Sequence, residues 1–317
     1  MTYQVLIPDN VNQKAIDLLN DIDGLDVIAP GKIAREDLMA QIADAHALII
    51  RSGVQADAEL LNAAANLKAI ARAGVGVDNI DLDAATANGI IVMNTPGGNT
   101  ISTAEHTIGL MLALARHIPQ GHQSMSEGRW DRKKYMGIEL RGKTLGLIGV
   151  GRIGEAVAAR AAAFGMAVIA YDPYVKSSDF AELVDLATLY SRADFISLHA
   201  LVTDETRDML NADAFAQMKD GVRIINAARG ALIHEGDLAD ALRSGKVAGA
   251  ALDVYSPEPP ADNNPLIHLP TVIHTPHLAA STSDAQVTVA IEAAEIIRDT
   301  LLDNKPQNVV NKAVLNG

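Results

Sequence analysis

Short apolar runs alternate with helical stretches along the whole chain. In its first third the apolar runs cover residues 5–7, 27–29, 47–50, 68–71 and 90–93, and the stretches 13–19, 35–43, 56–65 and 82–88 between them are helical candidates. Strands alternating with helices predict a parallel sheet covered on both faces, so this part reads as a small α/β domain of the flavodoxin type. A long apolar helix follows over 102–117, stopped by Pro119; its near-uniform hydrophobicity predicts burial. Residues 121–142 read as a polar loop carrying Trp130. Further apolar runs at 167–171, 194–200, 221–228, 248–254 and 272–277 each end in polar residues. A last helix over 284–302 is expected to return to the first domain. The pattern therefore predicts an α/β protein with two doubly wound parallel-sheet domains. A Rossmann domain over 99–284 is inserted in a discontinuous flavodoxin-like domain made of 1–98 and 285–317.

An apolar run from Thr144 passes into Gly149-x-Gly151-x-x-Gly154 and then a small-residue helical run, and the next apolar run ends on Asp172. Strand, glycine turn, helix and acid in this order form a dinucleotide-binding fingerprint. Gly149 permits the tight turn, Gly151 lets the backbone approach a pyrophosphate, and Gly154 lets helix and strand pack closely. The helix N-terminus offers free N–H groups and a partial positive charge to phosphates. Asp172 would accept from the adenosine ribose hydroxyls and repel a 2′-phosphate, favouring NAD over NADP.

Composition narrows the setting. The chain has 317 residues, 49% of them apolar but only 3% aromatic, so its cores are aliphatic. A formal net charge of −13 argues against nucleic acid and anionic membranes. It also requires a local cationic pocket for any anionic substrate. The absence of cysteine excludes disulfides, thiolate nucleophiles and Cys-ligated zinc. Neither a signal peptide nor a membrane-length apolar run is visible, and a cytoplasmic protein is expected.

Ligands of open parallel sheets bind beyond the carboxyl ends of the strands. Arg229, Glu258 and His277 each follow a strand of the second domain and so converge on the crevice expected to hold the cofactor. Each has a plainer reading: a surface cation, a solvated loop acid, a turn histidine. Their convergence suits hydride transfer to a 2-keto acid. Arginine offers a bidentate fork for the carboxylate, histidine a proton near neutral pH, and a carboxylate beside the imidazole orients it and favours its charged form. His274 and His277 are spaced H-x-x-H, but Pro276 makes the segment extended and puts the rings on opposite faces, so no metal is expected.

Ordered motifs across nearly the whole chain resemble those of the D-isomer-specific 2-hydroxyacid dehydrogenases. They include Arg51-Ser-Gly, Arg72-Ala-Gly-Val-Gly-Val-Asp-Asn, Val92-Met-Asn-Thr-Pro-Gly-Gly-Asn, Trp130-Asp-Arg-Lys-Lys and the glycine turn. Asn226-Ala-Ala-Arg-Gly, Ala251-Leu-Asp-Val-Tyr-Ser-Pro-Glu-Pro, Thr275-Pro-His-Leu-Ala-Ala-Ser-Thr and Asn308-Val-Val-Asn continue the set. The resemblance implies that Arg229 binds the substrate carboxylate and polarises the keto group, that His277 is the general acid/base, and that Glu258 is its partner. It implies cofactor contacts at Arg152, Ile153 and Asp172, with Ala200, Ala227, Ala228, Asp253 and His277 on the nicotinamide side. Val75 and Gly76 would present backbone N–H groups to the substrate carboxylate, with Arg51, Ser52 and Asn99 nearby.

Within the family the chain is most similar to the branch that oxidises 3-phosphoglycerate for serine biosynthesis. Arg51 and the run Arg132-Lys133-Lys134 are candidate cations for a phosphate. Glyoxylate/hydroxypyruvate reduction, or another D-2-hydroxyacid, is the alternative within the class. A cofactor-sensing binding protein is the alternative outside it, disfavoured because Arg229, Glu258 and His277 are all present. Two departures stand out. Ala200-Leu201 replaces a Thr-Pro of many relatives, and the chain stops short of C-terminal domains that longer members use to sense serine, so serine feedback is not expected. The apolar helix and the Trp130 segment suggest a homodimer, or higher homo-oligomer, made through the cofactor domain.

Overall fold

The computed structural model describes residues 2–316 and divides into two compact units, Met1–Asn99 with Thr282–Gly317, and Thr100–Ser281. The first unit opens with β1 (Tyr3–Leu6), α1 (Gln13–Asn20), β2 (Leu25–Ile28), α2 (Arg35–Gln41) and β3 (Ala47–Ile50). It continues through α3 (Ala58–Ala63), β4 (Ala69–Arg72), α4 (Leu82–Ala87) and β5 (Ile91–Asn94). All strands pair in parallel in the order β2-β1-β3-β4-β5, the flavodoxin-like winding. The central strand β3 is buried at every position, whereas edge strand β2 is not. That is why the inner strands read as unbroken apolar runs rather than alternations.

The second unit begins with helices α5 (Thr100–Arg116) and α6 (Ile118–Ser126). Its sheet is built from β6 (Thr144–Ile148), β7 (Ala167–Tyr171), β8 (Glu182–Leu183), β9 (Phe195–Leu198), β10 (Val222–Asn226), β11 (Val247–Leu252) and β12 (Val272–His274). Helices α7 (Arg152–Ala163), α8 (Leu186–Arg192), α9 (Ala212–Gln217) and α10 (Glu235–Ser244) connect them. The strands run parallel in the order β12-β11-β10-β9-β6-β7-β8. The order reverses between β6 and β9, the switch point where doubly wound sheets open a crevice at their carboxyl edge. One aliphatic layer, with Leu147, Val157, Ala161, Ile225 and Met111, lies under α5 and α7; another, with Ile196, Ile224, Leu238 and Leu252, lies on the opposite face.

Two expectations need correcting. Pro119 does not end the helical region. His117 adopts a left-handed conformation and α6 starts at once, with Pro119 in its first turn, where a proline lacks nothing because that N–H has no intrahelical partner anyway. The polar loop therefore begins only after Ser126 rather than at Gly121. Second, α5 is not buried all round: it buries the stripe Thr103, Ala104, Thr107, Ile108, Met111 and Leu114 and leaves Ile101, Glu105 and Gly109 exposed.

The last helix, α11 (Ser283–Asp303), is capped by the Thr282 side chain on the Ala285 N–H and belongs to the first unit. There Val289, Ala290, Ala293 and Ile297 pack with Ala47, Ile49, Ala69 and Ala71 of the sheet. No helix among the described residues is long and apolar enough to cross a membrane.

Candidate active site

The three glycines after β6 have three separable reasons. Gly149 sits at φ +93°, and a Cβ there would come within 2.6 Å of the His199 carbonyl oxygen at the end of β9. A Cβ on Gly154 would meet the Gly149 carbonyl oxygen at 2.4 Å, which fixes how closely α7 approaches the strand end. A Cβ on Gly151 would meet nothing within 4 Å; its lack of a side chain keeps the turn open. Gly151 is also the N-cap of α7 and has no side chain to satisfy the first N–H groups. The backbone N–H groups at Arg152 and Ile153 are thus the leading ends of an uncapped helix, the arrangement that holds phosphate. At the end of β7 the Asp172 carboxylate accepts from Val150 N at 3.0 Å, and from Tyr174 N and Val175 N at 2.9 and 3.2 Å. The acid is thereby tied directly to the glycine turn. The residues present fit a dinucleotide: an open glycine, free helix N–H groups and an acid at the next strand end.

Farther along the same carboxyl edge, the loops after β10, β11 and β12 are bolted together. Buried Asn226 ends β10; its Nδ2 donates to Arg229 O at 2.8 Å and its Oδ1 accepts from Ala228 N at 3.0 Å, fixing the Ala227-Ala228-Arg229 turn. Gly230 follows because a Cβ there would lie 2.0 Å from the Tyr255 carbonyl carbon. Tyr255 N in turn donates to Glu258 Oε1 at 3.0 Å, and Glu258 Oε2 lies 2.7 Å from His277 Nδ1. Arg229, whose Nη1 donates to Ala228 O at 2.7 Å, is close enough that its charge acts on both Glu258 and His277.

His277 itself is held from below. It adopts φ 52°, a left-handed conformation that costs a non-glycine residue roughly 1 kcal/mol or more. Its N–H donates to Asp253 O at 2.8 Å. The fully buried Asp253 carboxylate accepts from Leu278 N and Ala279 N, both at 2.8 Å, and from the Thr275 hydroxyl, with His106 Nε2 3.3 Å away. Burial opposes the charge on Asp253, but those hydrogen bonds outweigh it and hold the carboxyl below its ordinary range. The segment 275–279 therefore wraps an ionised carboxylate, which explains how an unfavourable backbone conformation is sustained at His277.

The electrostatics of the His277–Glu258 pair are consistent from both sides. The hydrogen bond to Glu258 and its charge raise His277 above its ordinary value, against burial and the Arg229 charge. Burial raises Glu258, yet the bonds from His277 and Tyr255 N, with the His277 and Arg229 charges, bring it below its ordinary value. Nδ1 faces Glu258, leaving Nε2 as the ring nitrogen directed elsewhere. His274 Nδ1 lies 2.6 Å from the Tyr255 hydroxyl, and burial lowers its pKa. At the end of β9, His199 Nε2 lies 2.9 Å from Ser197 Oγ, and burial pushes this imidazole down to about 4. Neutral His199 precedes Ala200.

In the first unit, Arg51 and Ser52 follow β3, Val75 and Gly76 follow β4, and Asn99 follows β5, all at the carboxyl edge of that sheet. Buried Asp9, after β1, accepts from Asn10 N, Arg51 N and Gly53 N at 2.8, 3.0 and 3.1 Å. Arg51 Nη1 donates to Asn10 O at 3.1 Å, and Asn79 Nδ2 to Arg51 O at 2.8 Å. Asn94 Nδ2 donates to Val75 O at 2.6 Å. Arg132, Lys133 and Lys134 are exposed on the loop after α6. The sequence assigns no site role to Asp9, Asn79, Asn94, Asn226, His106 or Thr275, although Asn79, Asn94, Asn226 and Thr275 stand inside the quoted motifs. Each is a buried or half-buried polar residue at or near a strand or helix end, and one Asp or Asn in such a place reads as a turn residue until its partners are known.

Comparison with known proteins places these features in a family. Residues 108–279 match the model described as "D-isomer specific 2-hydroxyacid dehydrogenase, NAD binding domain". The chain is 50% identical over 313 residues to D-3-phosphoglycerate dehydrogenase of Archaeoglobus fulgidus, covering 97% of this chain and 59% of that protein. It is 45% identical over 316 residues to the human protein of the same name, again covering 98% of this chain and 59% of the other. The chain thus spans about three fifths of the length of the curated relatives it matches. Among solved structures, a cofactor (NAD+)-bound 3-phosphoglycerate dehydrogenase from Entamoeba histolytica aligns with TM-score 0.84 at 28% identity, covering 98% of this chain and 99% of that one. A glyoxylate reductase from Paecilomyes thermophila aligns with TM-score 0.87 at 32% identity, covering 98% of each chain. With its second unit carrying the NAD-binding domain and its strand ends carrying the arginine, glutamate and histidine, the chain belongs to the D-isomer specific 2-hydroxyacid dehydrogenase family.

Proposed function

We propose that this protein is an NAD-dependent oxidoreductase that transfers a hydride between NAD and a D-2-hydroxyacid, with 3-phosphoglycerate oxidised to 3-phosphohydroxypyruvate in serine biosynthesis. The observation that carries the reading is the 2.7 Å His277–Glu258 pair beside Arg229, at the carboxyl edge of the sheet that also bears the glycine turn. The substrate is supported by the names of relatives sharing 44–50% identity, among them proteins from Archaeoglobus fulgidus and a Synechocystis strain.

In this reading the nicotinamide ring, when bound, supplies the hydride acceptor for oxidation and the donor for reduction. Gly149, Gly151, Arg152, Ile153 and Gly154 hold the pyrophosphate on the uncapped helix end, and Asp172 takes the ribose hydroxyls. Ala200, Ala227, Ala228, Asp253 and His277 line the nicotinamide side. Arg229 pairs with the substrate carboxylate and draws electron density from the keto oxygen, which lowers the cost of the charge that builds there. His277 Nε2 takes the hydroxyl proton during oxidation and returns it during reduction. Glu258 holds the ring by Nδ1 and stabilises the imidazolium formed when that proton arrives. Arg51, Ser52, Val75, Gly76 and Asn99 are assigned to the substrate, and the basic run 132–134 is a further phosphate candidate. The protein acts in the cytoplasm as a homodimer or higher homo-oligomer. Trp130 and Met136, 78% and 83% exposed, support such an interface, and light scattering on the purified chain measures it.

The decisive experiment is steady-state NADH formation with 3-phosphoglycerate set against D-glycerate and D-lactate. His277→Ala and Arg229→Ala are each expected to lower turnover by ~10²-fold or more while NAD binding, followed by fluorescence, largely survives. Normal turnover in both variants rules the assignment out. Preference for glyoxylate or hydroxypyruvate over the phosphorylated acid would select the second reading, which the glyoxylate reductase structure favours.

A further inference from the structure

At the opposite, amino edge of the second unit's sheet lies a cavity of about 210 Å³ that the dehydrogenase reading does not use. It sits where β6, β9 and β10, three neighbouring parallel strands, begin. Lys143 precedes β6, Asp194 precedes β9, and Lys219, Asp220 and Arg223 surround the start of β10.

The charges in this cavity are unevenly compensated. Asp194 is taken up by Thr144 N at 2.8 Å and by Lys219 Nζ at 3.0 Å. Asp220 is taken up by Lys246 Nζ at 2.8 Å, which also donates to Met218 O. Both acids of the cavity therefore already have cations. Lys143 and Arg223 have no acid in ion-pair contact among the described residues. Arg223 rests one face on the ring of buried Phe195, 5.6 Å from its centroid, and gives one hydrogen bond, Nη1 to Gly221 O at 3.3 Å. A guanidinium carries five donors; partial burial opposes its charge and lowers its pKa against the nearby Asp194 charge, with which it makes no direct ion pair among the described residues. A half-buried cation stacked on an aromatic face, with most donors unspent and a lysine beside it, is built to meet an anion. In a chain of net charge −13 such a spot is set against the overall field.

We propose that this amino-edge cavity is a binding site for a small dianion, a phosphate group or a dicarboxylate, held by Arg223 and Lys143 with Lys219 alongside. The site is separate from the cofactor turn, which lies at the other end of the same strands, and does not depend on the proposed catalytic activity. Its volume admits a small metabolite and excludes a dinucleotide.

The test uses the full-length chain, ¹⁵N-labelled, titrated separately with inorganic phosphate and with succinate, ionic strength being held constant with sodium chloride. The expected result is saturable displacement of the amide signals of Lys143, Gly221, Val222 and Arg223, with a Kd on the order of 1 mM. Arg223→Gln and, separately, Lys143→Gln weaken that binding by roughly tenfold. Saturation by phosphate alone identifies a phosphate group as the ligand; saturation by succinate as well identifies charge as the criterion. Lys143 precedes its strand and is only partly buried, so Lys143→Gln keeps the test available if Arg223→Gln does not fold. The proposal is overturned if chloride reproduces the displacements, if they stay linear to the highest concentration, if they fall only on Gly149 to Gly154, or if neither substitution changes them.

Discussion

Both sheets end in a glycine-bearing loop, yet the loop after β6 and the loop after β4 use glycine for opposite purposes. After β6 the chain turns at Gly149 and enters α7 at Arg152, twelve residues long, with no side chain over its leading N–H groups. After β4, Gly74 lies under the Arg72 guanidinium at φ +146°, and the next helix, α4, starts only at Leu82. That helix is six residues long, and the Asp81 carboxylate already accepts from Ala84 N at 2.9 Å. The β4 loop is instead pinned by side-chain amides, Asn94 to Val75 O and Asn79 to Arg51 O and Val54 O. A phosphate cradle therefore requires more than glycines. It needs an uncapped helix immediately behind them, and only the first loop has one.

The strongest way to break this contrast is Gly154→Ala. Its Cβ would lie 2.4 Å from the Gly149 carbonyl oxygen, a backbone atom that cannot swing aside. Overpacking of this kind costs about 1–3 kcal/mol, and the turn must open to relieve it. Loss of NAD affinity by roughly 10²-fold is expected, since about 2.7 kcal/mol of aligned N–H contacts depends on that geometry. Isothermal titration with NAD measures it. Undiminished affinity would show that the close approach of α7 is irrelevant to the cradle.

Next in size is Glu258→Gln. The sign follows from the two shifts. His277 is raised in the folded chain, so its contribution to stability is present below its unfolded value and lost as pH rises through the folded one. Glu258 is lowered, so its contribution is present above its unfolded value and lost as pH falls through the folded one. The charged pair thus persists from the lowered glutamate value up to the raised histidine value. With side chains 47% and 37% exposed, solvent screens it and little global stability is at stake. The effect belongs to catalysis. In the proposed mechanism oxidation needs neutral His277, so replacing Glu258 is expected to move the rising limb of its kcat/KM–pH profile toward acid, at about tenfold in proton affinity per pH unit moved. Reduction, which requires the imidazolium, fails at lower pH than before. An unmoved limb in both directions would remove Glu258 from its assigned role.

Asp172 sharpens the contrast in cofactor choice. Asp172→Ala is expected to raise the NADP-to-NAD ratio of kcat/KM by roughly tenfold, by removing a charge that repels a 2′-phosphate. The same carboxylate holds Val150 N in the glycine turn, so part of the loss with NAD comes from a loosened turn. Asp172→Asn separates the two effects: it keeps an acceptor for that N–H and removes the charge. If the ratio is unchanged in both variants, Asp172 does not face the ribose.

The comparison also explains what the chain reveals to a reader of its sequence. A strand such as β3, buried on both faces, leaves an unbroken apolar run, and a glycine turn followed by small residues announces α7. Arg229, Glu258 and His277 could be placed at one sheet edge because each follows such a strand in a parallel sheet. What holds them could not. Asp253 and His106 act through partners tens to more than a hundred residues away, as in the approach of Asp253 to His106 and to the Leu278 and Ala279 amides. Helix α6 was hidden for another reason. A proline that stops one helix is also suited to start the next, and the left-handed His117 between them has no sequence signature as plain as glycine.

The smallest expected effect tests the contrast from its other side. Asp81→Ala removes the cap of α4 and frees the N–H groups that α7 leaves free by construction. If a bare helix end were sufficient, this variant would gain affinity for inorganic phosphate near α4. The expected outcome is otherwise: a loss of about 1 kcal/mol in urea unfolding and no new anion binding by amide chemical shifts. A helix of six residues carries little macrodipole, and no open glycine stands directly before Leu82 to let a phosphate reach the backbone. Phosphate binding at α4 in the variant would mean that capping alone separates the two loops, and that the glycines at Gly149 and Gly151 serve only the turn.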